Sequence, residues 1–544
     1  MVALASFLLL SPVAARAFAS PDDSRRGGTA VVGADQEPPC LNFLLVSCNV
    51  LWTSWTAGIA LPGAFQVTPS FSYEPMLVER VDVATNPFTL TYHIREEALW
   101  SDGRPVSADD FMFTLDVTRD PGNAVATRAG YELIAQSVKV DEKTVRFVFT
   151  RPYGAWRTLF SSILPKHVLE GSDFNQVWQT EIADPATHEP IGSGPFLVTG
   201  WVRGQSLTLS RNPRWWGRHA PFLDTIVVRF ILDTNSRFQA IQSGQVDVIV
   251  PQPQLQIAEL RGRPDIAVES SPGTLLDHLD FNTAAADMPL LREQWFRQAV
   301  AFALDREALF PLLYGSISPN LGAHHNLGHP RTHESYVPSF ARYVYSPGTV
   351  AEIMQRHGCV RGGDGIWSCG GVRASIKLAT TTGNSLRALA QQELQAQASS
   401  AGIELVPDNS PAGVLLGTRL PARDYQSMMF SWVLGDELAG HAGKYVCDGG
   451  SNFLAYCSQA VTDLLNASET EIDPPARSAL VNEADRILAE DVPTIPLFLQ
   501  PSFLAYRTSL HCARNNPSSE GPTWNVEDWW SGPAGSADAT APTT

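Results

Sequence analysis

Three acidic side chains lie close together between aromatic residues in the stretch WSDGRPVSADDF, residues 100–111. Asp102, Asp109 and Asp110 could bind a divalent metal ion, because hard cations prefer carboxylate oxygens, but their spacing does not match a calcium-binding loop. Asp102 and the glycine after it form a tight-turn pair, and Ser107 with Asp110 has the spacing of a capping box. The pattern predicts a strand end, a turn and a helix start, with a metal site as the alternative.

Four histidines lie in the segment GAHHNLGHPRTHE: His324, His325, His329 and His333. Imidazoles at four-residue spacing on one helical face can bind zinc or nickel. A glycine and a proline within the segment interrupt such a helix, because proline lacks the backbone N–H and clashes with the preceding turn. The segment is predicted to be a polar loop, and a metal site is the alternative.

Six of the seven cysteines fall into three pairs that are close in sequence: Cys40 with Cys48, Cys359 with Cys369, and Cys447 with Cys457. None of the pairs has the C-x-x-C spacing of a zinc site. Short, turn-rich loops closed by two cysteines are typical of disulfides in an oxidising compartment. The seventh, Cys512, is either a buried thiol or a replacement for one partner of the first pair.

Composition limits the classes of function. A chain of 544 residues is far longer than one domain, so two or three lobes are expected. The net charge of -17 argues against nucleic-acid binding, which needs a basic surface. The sequence contains no G-x-S-x-G, Walker A or H-E-x-x-H motif. We therefore predict neither an enzyme nor a cofactor, and a secreted hydrolase with scattered catalytic residues is the alternative from another class.

The two ends of the chain have distinct compositions. A short apolar run followed by an A-x-A pattern predicts a signal peptide at residues 1–19, and hence a periplasmic or cell-surface protein. Residues 531–544 are small and polar, which predicts a disordered tail. No later stretch is long and apolar enough to predict a membrane helix.

Hydrophobic periodicity between these ends indicates a mixed α/β chain. Residues 88–95 alternate apolar and polar side chains, as a half-buried strand does. Residues 291–314, 386–400 and 475–490 carry apolar residues at three- and four-residue spacing, which predicts helices.

The motifs occur in the order found in one family. The segment TLTYHIREEALWSDGRPVSADDFMFTLD resembles the signature of family 5 extracellular solute-binding proteins, the peptide-, oligopeptide- and nickel-binding components of bacterial ABC importers. Further resembling segments are PIGSGPF at 190–196, SRNPRWWGRHAPFLDTIVVRF at 210–230, FQAIQSGQVDV at 238–248, LDFN at 279–282, FRQAVAFALDR at 296–306 and DVPTIPLF at 491–498. The resemblance covers roughly residues 30–507.

The resemblance implies an α/β, periplasmic-binding-protein-like fold with two lobes and an inserted third subdomain (type II, cluster C-like). Lobe I would combine residues 28–50, 190–275 and 501–530, the inserted subdomain would be residues 51–189, and lobe II would be residues 276–500. Two crossings of the chain between the lobes would act as hinges.

The same resemblance implies a function. The protein would capture a solute by lobe closure and deliver it to the permease and ATPase of an ABC transporter, as a monomer and without a cofactor. An oligopeptide is the first expectation for the solute. A sugar, an opine or a metal chelate is the alternative.

The resemblance also points to ligand-binding residues. In peptide-binding members an acidic residue shortly after a tryptophan pairs with the α-ammonium group of the peptide, a charge-assisted contact. The matching positions are Asp436 and Trp432 in SWVLGDE. A solvated loop carboxylate at Asp436 is the alternative, which would favour a non-peptide solute. Trp52 and Trp55 lie in a segment that enters the cleft in relatives, so each is a candidate to stack on the ligand or a core residue.

Overall fold

The computed structural model describes residues 25–435, 438 and 440–535. The predicted signal peptide at residues 1–19 lies outside the described residues, and so does most of the predicted tail at 531–544. Helices and strands are interspersed along the described chain, as expected for an α/β protein.

The strands, in chain order, are β1 Thr29–Ala34, β2 Phe65–Val67, β3 Tyr73–Pro75, β4 Val78–Thr85, β5 Phe88–Ile94, β6 Ile134–Lys139, β7 Thr144–Phe149, β8 Phe196–Val202, β9 Ser206–Arg211, β10 Thr225–Phe230, β11 Val248–Ile249, β12 Ile266–Phe281, β13 Val360–Arg361, β14 Trp367–Cys369, β15 Val372–Arg373, β16 Ser375–Ala379, β17 Glu404–Pro407, β18 Ser427–Val433, β19 Thr494–Arg507, β20 Leu510–His511 and β21 Trp530–Ser531. The predicted strand at 88–95 is confirmed as β5.

The helices are α1 Leu51–Ala60, α2 Ala108–Arg119, α3 Lys166–Leu169, α4 Thr234–Gln242, α5 Gln256–Arg261, α6 Gln294–Phe302, α7 Arg306–Tyr314, α8 Pro347–Arg356, α9 Ser385–Ser400, α10 Ala412–Val414, α11 Leu420–Ala422, α12 Ala442–Tyr445, α13 Gln459–Thr470 and α14 Pro474–Asp491. The helices predicted at 386–400 and 475–490 are confirmed as α9 and α14. The single helix predicted at 291–314 is wrong. It is divided into α6 and α7 because Asp305 caps a new helix, accepting a hydrogen bond from the backbone of Ala308 at 2.9 Å.

Ten strands form one mixed sheet in the order β17-β16-β18-β12-β19-β11-β1-β10-β9-β8. We call β1 and β8 to β11 the first part of the sheet, and β16 to β18 the second part. The long antiparallel strands β12 and β19 connect the two: β19 pairs with β11 of the first part, and β12 pairs with β18 of the second. We call β12 and β19 the crossing strands.

The pairing between the crossing strands is irregular where the two parts meet. The register shifts between Pro272 and Leu276 and again between Asp277 and the next residue. Pro272 lies opposite Pro501 on the partner strand. Because proline has no backbone N–H, this pair contributes no donor to the ladder. The sheet is therefore continuous through both parts but weakly bonded at their junction.

A separate four-stranded sheet, β4-β5-β7-β6, packs against α2, and the acidic stretch considered first lies between β5 and α2 and forms the start of that helix. Ser107 is the N-cap of α2, and a capping box links it to Asp110. The Asp110 carboxylate is buried and accepts hydrogen bonds from the Ser107 backbone at 2.8 Å and from the Trp100 indole at 3.2 Å. The predicted turn and helix cap are confirmed, whereas the strand ends earlier than predicted, at Ile94.

The three carboxylates of that stretch have different partners. Asp102 accepts from the His167 imidazole at 2.9 Å, and Asp109 pairs with Lys139 at 2.7 Å. Asp110 accepts the hydrogen bond from the Ser107 backbone that forms the helix cap. The alternative of one shared metal site is therefore not supported.

The cysteines are joined as three local pairs: Cys40–Cys48, Cys359–Cys369 and Cys447–Cys457. Each disulfide closes a short surface loop, with sequence separations of 8, 10 and 10 residues. None of the three involves Cys512.

Candidate ligand-binding cleft

A cavity of about 630 Å³ lies where the two parts of the sheet meet. One wall is the segment 252–254, which follows β11 of the first part. Another wall is formed by residues 381–387, which are the loop before α9 and the first turn of that helix, next to the second part of the sheet. Asp277, Phe498 and Gln500 of the crossing strands also line the cavity. A molecule bound here would touch both parts of the sheet and their connection.

The charged side chains among the residues lining this cavity are Asp277 and Arg387, and they pair with each other. Arg387 Nε lies 3.4 Å from Asp277 Oδ1. The guanidinium also donates to Thr381 Oγ1 at 3.1 Å and to Ser431 Oγ at 2.7 Å. Ser431 of β18 contacts both Asp277 of β12 and Arg387 of α9. We call these three residues the cavity face of β18.

Asp277 is buried, and burial is the largest influence on the pKa of its carboxyl group. Burial raises the pKa of Asp277, and the charge of Arg387 and hydrogen bonds from Gln500 and Ser431 oppose that shift. Those two bonds are 2.7 Å and 3.1 Å long. The lining of the cavity therefore carries a compensated pair of charges surrounded by neutral amides and hydroxyls.

The sequence did not identify this pair, although each member leaves a local sign. Asp277 is an acid inside the apolar strand segment LLDHLDF. Arg387 lies in the first turn of α9, where the helix dipole disfavours a positive charge. Asn384 caps this helix by accepting from the Arg387 backbone at 3.0 Å. The two charges are 110 positions apart in sequence, so neither sign reveals its partner.

Trp432 lies on the other side of β18, because successive side chains of a strand point to opposite faces. Its ring stacks at 6.3 Å on Phe453 and at 6.4 Å on His278, and it meets Phe430 edge-on at 5.3 Å. Lys444 Nζ lies 5.1 Å from the centre of the Trp432 ring, a cation–π contact. We call Trp432, Phe453 and Lys444 the aromatic face of β18.

Lys444 was not identified from the sequence either. It lies in the short helix α12, and its Nζ donates a long hydrogen bond of 3.4 Å to the Val433 carbonyl. Burial lowers the pKa of Lys444 to about 8, and the negative charge of Asp280 opposes that shift. The structure therefore places a cation beside Trp432, and the acid that the sequence predicts near this tryptophan, Asp436, lies outside the described residues.

The other sequence-predicted site residues lie elsewhere. Asp436 lies outside the described residues. Trp52 is buried in α1, and its indole donates to Asp35 at 2.6 Å. Trp55, one turn along the same helix, contacts Trp52 edge-on and lines a separate cavity of about 370 Å³ together with Trp524. Trp432 lines neither of these two cavities, so the structure does not gather the three tryptophans around one space.

The histidine segment is a loop without a helix, as the sequence predicted, but much of it is buried. His324 and His329 are buried, and burial lowers the pKa of each to about 3. The segment is drawn inward by Asp485, which accepts from the backbone of Leu327 at 2.9 Å and from the Asn326 amide at 3.0 Å. Across residues 25–435, 438 and 440–535, no three His, Cys, Asp or Glu side chains are placed to hold a metal ion.

Comparison with protein families identifies the class of protein. The model of bacterial extracellular solute-binding proteins, family 5, matches residues 72–440, more than half of the chain. The chain therefore belongs to this family, whose members are substrate-binding components of ABC importers. The resemblance inferred from the motifs is confirmed.

Individual relatives are distant but cover nearly the whole chain. The oligopeptide-binding protein OppA of Mycobacterium bovis is 25% identical over 504 residues, which are 90% of this chain and 83% of that protein. Di/tripeptide-binding protein 4 of Pseudomonas aeruginosa is 26% identical over 488 residues, 84% of this chain and 86% of that protein.

Among solved structures, the periplasmic EDTA-binding protein EppA superposes with a TM-score of 0.80 at 22% identity, covering 94% of this chain and 97% of that one. This likeness, with the large mixed sheet, confirms the predicted fold of two lobes and an inserted subdomain. None of the helices in the described part of the chain is long and apolar enough to cross a membrane.

Proposed function

We propose that this chain is an exported receptor that captures an oligopeptide between its two lobes and delivers it to the permease and ATPase of an ABC importer. In this proposal residues 28–50, 190–275 and 501–530 form lobe I, residues 51–189 the inserted subdomain, and residues 276–500 lobe II. The receptor acts as a monomer, makes and breaks no bond in the solute, and needs no cofactor.

The observation that carries this proposal is the cavity of about 630 Å³. Segment 252–254 belongs to the proposed lobe I, residues 381–387 belong to lobe II, and the crossing strands join them. A solute in this cavity contacts both lobes only when they are closed. It therefore shifts the population from open to closed by its differential affinity for the closed form.

The chemistry of the lining supports a peptide as the solute. Gln252, Gln254 and Asn384 present neutral amides, which can pair with a peptide backbone whatever its side chains are. The Nε2 atom of Gln254 is buried and has no hydrogen-bond partner among the described residues. A buried donor without an acceptor is costly, and a bound carbonyl oxygen would satisfy it. The relatives named above as oligopeptide- and di/tripeptide-binding proteins support the same choice.

Native mass spectrometry of protein purified without refolding tests the proposal. We expect masses of several peptides that differ in length and composition, released on unfolding. Added peptides should raise the melting temperature in a saturable manner, because a ligand that binds only the folded state stabilises it. Consumption of the added peptide would instead support the secreted hydrolase and contradict the receptor.

The predicted contact of Asp436 with the peptide amine remains part of this proposal. Asp436→Asn should weaken binding of peptides with a free α-amine much more than binding of N-acetylated peptides, because only the free amine carries a charge. Equal weakening of both would remove the role assigned to Asp436. Trp432→Ala serves as the companion variant, since loss of an aromatic wall should weaken both forms of the peptide alike.

A second candidate is a non-peptide solute such as a sugar, an opine or a metal chelate. The observation that favours it is the cation of Lys444 beside Trp432, because a positive charge can bind the acidic groups of an opine or a metal chelate. The EDTA-binding relative supports the existence of such ligands on this fold. One dominant non-peptide mass in the native spectrum would replace the peptide as the solute and leave the receptor function intact.

A further inference from the structure

We propose that Lys444 binds a carboxylate group of the solute at the aromatic face of β18. This inference rests on the proposed receptor function and deepens it by naming the chemical class of the solute. The recognised solute carries a carboxylate that reaches the Trp432 ring. Its source is either the α-carboxylate of a peptide that meets this ring with its carboxyl end, in place of the amine contact proposed for Asp436, or the carboxylate of a non-peptide acid.

The first support is the set of contacts around the ammonium group. Nζ makes one long hydrogen bond, of 3.4 Å, to a neutral carbonyl and lies over a neutral aromatic ring. Among the described residues, no carboxylate lies within ion-pair distance of Lys444. The acid whose field reaches it, Asp280, is bound at 2.6 Å by Thr494 Oγ1 and lies 3.4 Å from the His278 imidazole. The described residues therefore leave the ammonium group without a counter-charge.

The second support is access from the junction of the two parts of the sheet. β18 ends at Val433, which is 59% exposed, and its cross-strand neighbour Leu275 is 38% exposed. By the alternation of the strand these two side chains project to the face opposite Trp432, but the Val433 carbonyl at the strand end accepts the hydrogen bond from Lys444. A solute that extends from the cavity past the end of β18 therefore meets first this apolar pair and then the ammonium group beside the aromatic ring. That combination suits an organic anion.

Burial of the lysine makes an anion a better occupant than water. Removing an ammonium group from water disfavours its charged form, and a nearby negative charge restores it. A carboxylate placed over the Trp432 ring gives Lys444 the charge-assisted hydrogen bond that the described residues do not provide. If Lys444 served only to pack on the Trp432 ring, a carboxylate on the ligand would not bind more tightly than a neutral group of the same shape.

The experiment measures affinities for matched pairs of probes by titration calorimetry. Trialanine and trialanine amide differ only in the terminal carboxylate, and citrate and its trimethyl ester differ in the same way without a peptide. The proteins are the wild type, Lys444→Met, Lys444→Arg and the control Lys377→Met. Lys377 is an exposed lysine that pairs with Asp287 at 3.2 Å on a different strand.

We expect the wild type and Lys377→Met to bind the acid of at least one pair about tenfold more tightly than its neutral partner, as charge-assisted hydrogen bonds require. Lys444→Met should bring that ratio to about one, and Lys444→Arg should retain it. Preference within the trialanine pair identifies a peptide carboxylate. Preference confined to the citrate pair identifies a non-peptide acid.

Two results overturn the inference without touching the receptor function. One is equal affinity for the acid and its neutral partner in the wild type. The other is an acid preference that persists in Lys444→Met. A co-purified solute without any carboxylate also removes the role of Lys444 and leaves a receptor. A purified protein that carries no solute and responds to none of the four probes contradicts both proposals.

Discussion

The two faces of β18 carry positive charges in opposite situations. On the cavity face, Arg387 meets Asp277 at 3.4 Å and two hydroxyl groups at hydrogen-bond distance. On the aromatic face, Lys444 meets a tryptophan ring and one carbonyl oxygen. Ser431 and Trp432, adjacent in sequence, separate the two environments.

The difference separates a structural charge from an available one. The guanidinium of Arg387 compensates a buried carboxylate, so the folded protein already uses its charge. The ammonium group of Lys444 forms no ion pair with any described carboxylate, so a negatively charged ligand would stabilise it more than it would stabilise Arg387. Removing Arg387 should therefore damage stability first, and removing Lys444 should damage recognition first. The following predictions test that contrast.

The largest expected effect is the loss of stability in Arg387→Gln. The Arg387 side chain is only 16% exposed, and its removal leaves Asp277 buried without a positive partner. We expect the free energy of unfolding to fall by about 3 kcal/mol, as for other broken buried ion pairs. Urea denaturation measures this. The double variant with Asp277→Asn should recover part of the loss, and a single-variant loss below about 1 kcal/mol would contradict the structural role.

Two buried histidines near the aromatic face should make stability depend on pH. The pKa of His324 and of His329 is lowered to about 3 by burial, and burial, followed by the charges of Lys444 and His329, also lowers the pKa of His441, just before α12. Between pH 6.5 and 3 each of His324 and His329 binds more protons in the unfolded chain than in the folded one, so its contribution to stability is complete above pH 6.5 and falls by about 1 kcal/mol at pH 5.5. Asp485 and Glu527, whose pKa burial raises to about 7, bind more protons in the folded chain and oppose that fall.

Urea denaturation at pH 7.5, 6.5 and 5.5 checks this dependence. His329→Gln should lose about 1 kcal/mol less than the wild type between pH 7.5 and 5.5, because the variant removes one buried group that must remain neutral. His188 is exposed on the surface and supplies the matched control, His188→Gln, which should keep the slope of the wild type. A His329→Gln profile parallel to that of the wild type would contradict this role of His329.

Two disulfides with the same loop length provide a paired test. Cys447–Cys457 encloses Phe453 of the aromatic face, whereas Cys359–Cys369 closes a loop next to β14. Replacing either pair by serines should lower the free energy of unfolding by about 2–3 kcal/mol, because both loops span a similar number of residues. Only the first replacement should also weaken solute binding in calorimetry. Equal effects on binding would show that the aromatic face does not contact the solute.

The smallest effect on stability is expected for Lys444→Met. The cation–π contact contributes about 0.5–1 kcal/mol, and relief of the buried charge offsets it. Thermal unfolding should therefore shift little, in contrast to Arg387→Gln. A large loss of stability in Lys444→Met would place the lysine with the structural charges and erase the contrast between the two faces.

Local patterns were enough to predict much of the fold. The alternation in β5, the capping box at Ser107 and the spacing of the cysteine pairs each depend on residues within about one or two turns of each other. The single helix predicted at 291–314 is wrong because a local apolar pattern does not show where one helix ends and the next begins. Its apolar period continues through Asp305, whose side chain nevertheless starts a second helix.

The site depends on contacts that no local pattern contains. Arg387 and Asp277 are brought together by the pairing of β12 with β18 and the docking of α9. Lys444 contacts Trp432 from the short helix α12, twelve positions later in the chain, and no local sequence pattern predicts that contact. The histidine segment is buried because Asp485, more than 150 positions away, accepts its backbone and amide donors. The prediction of a polar loop is correct about the loop, but no local pattern reveals this partner or the burial that follows from it.

The proline pair in the crossing strands has a mechanical consequence. Pro272 and Pro501 face each other without a donor, next to a shift in register. Bending the sheet there breaks no backbone hydrogen bond between them, whereas bending it elsewhere would rupture the ladder. In the proposed receptor the junction would therefore act as a flexible joint: each part of the sheet would move as a unit, and the backbone would consume little of the binding energy of a solute when the two parts come together.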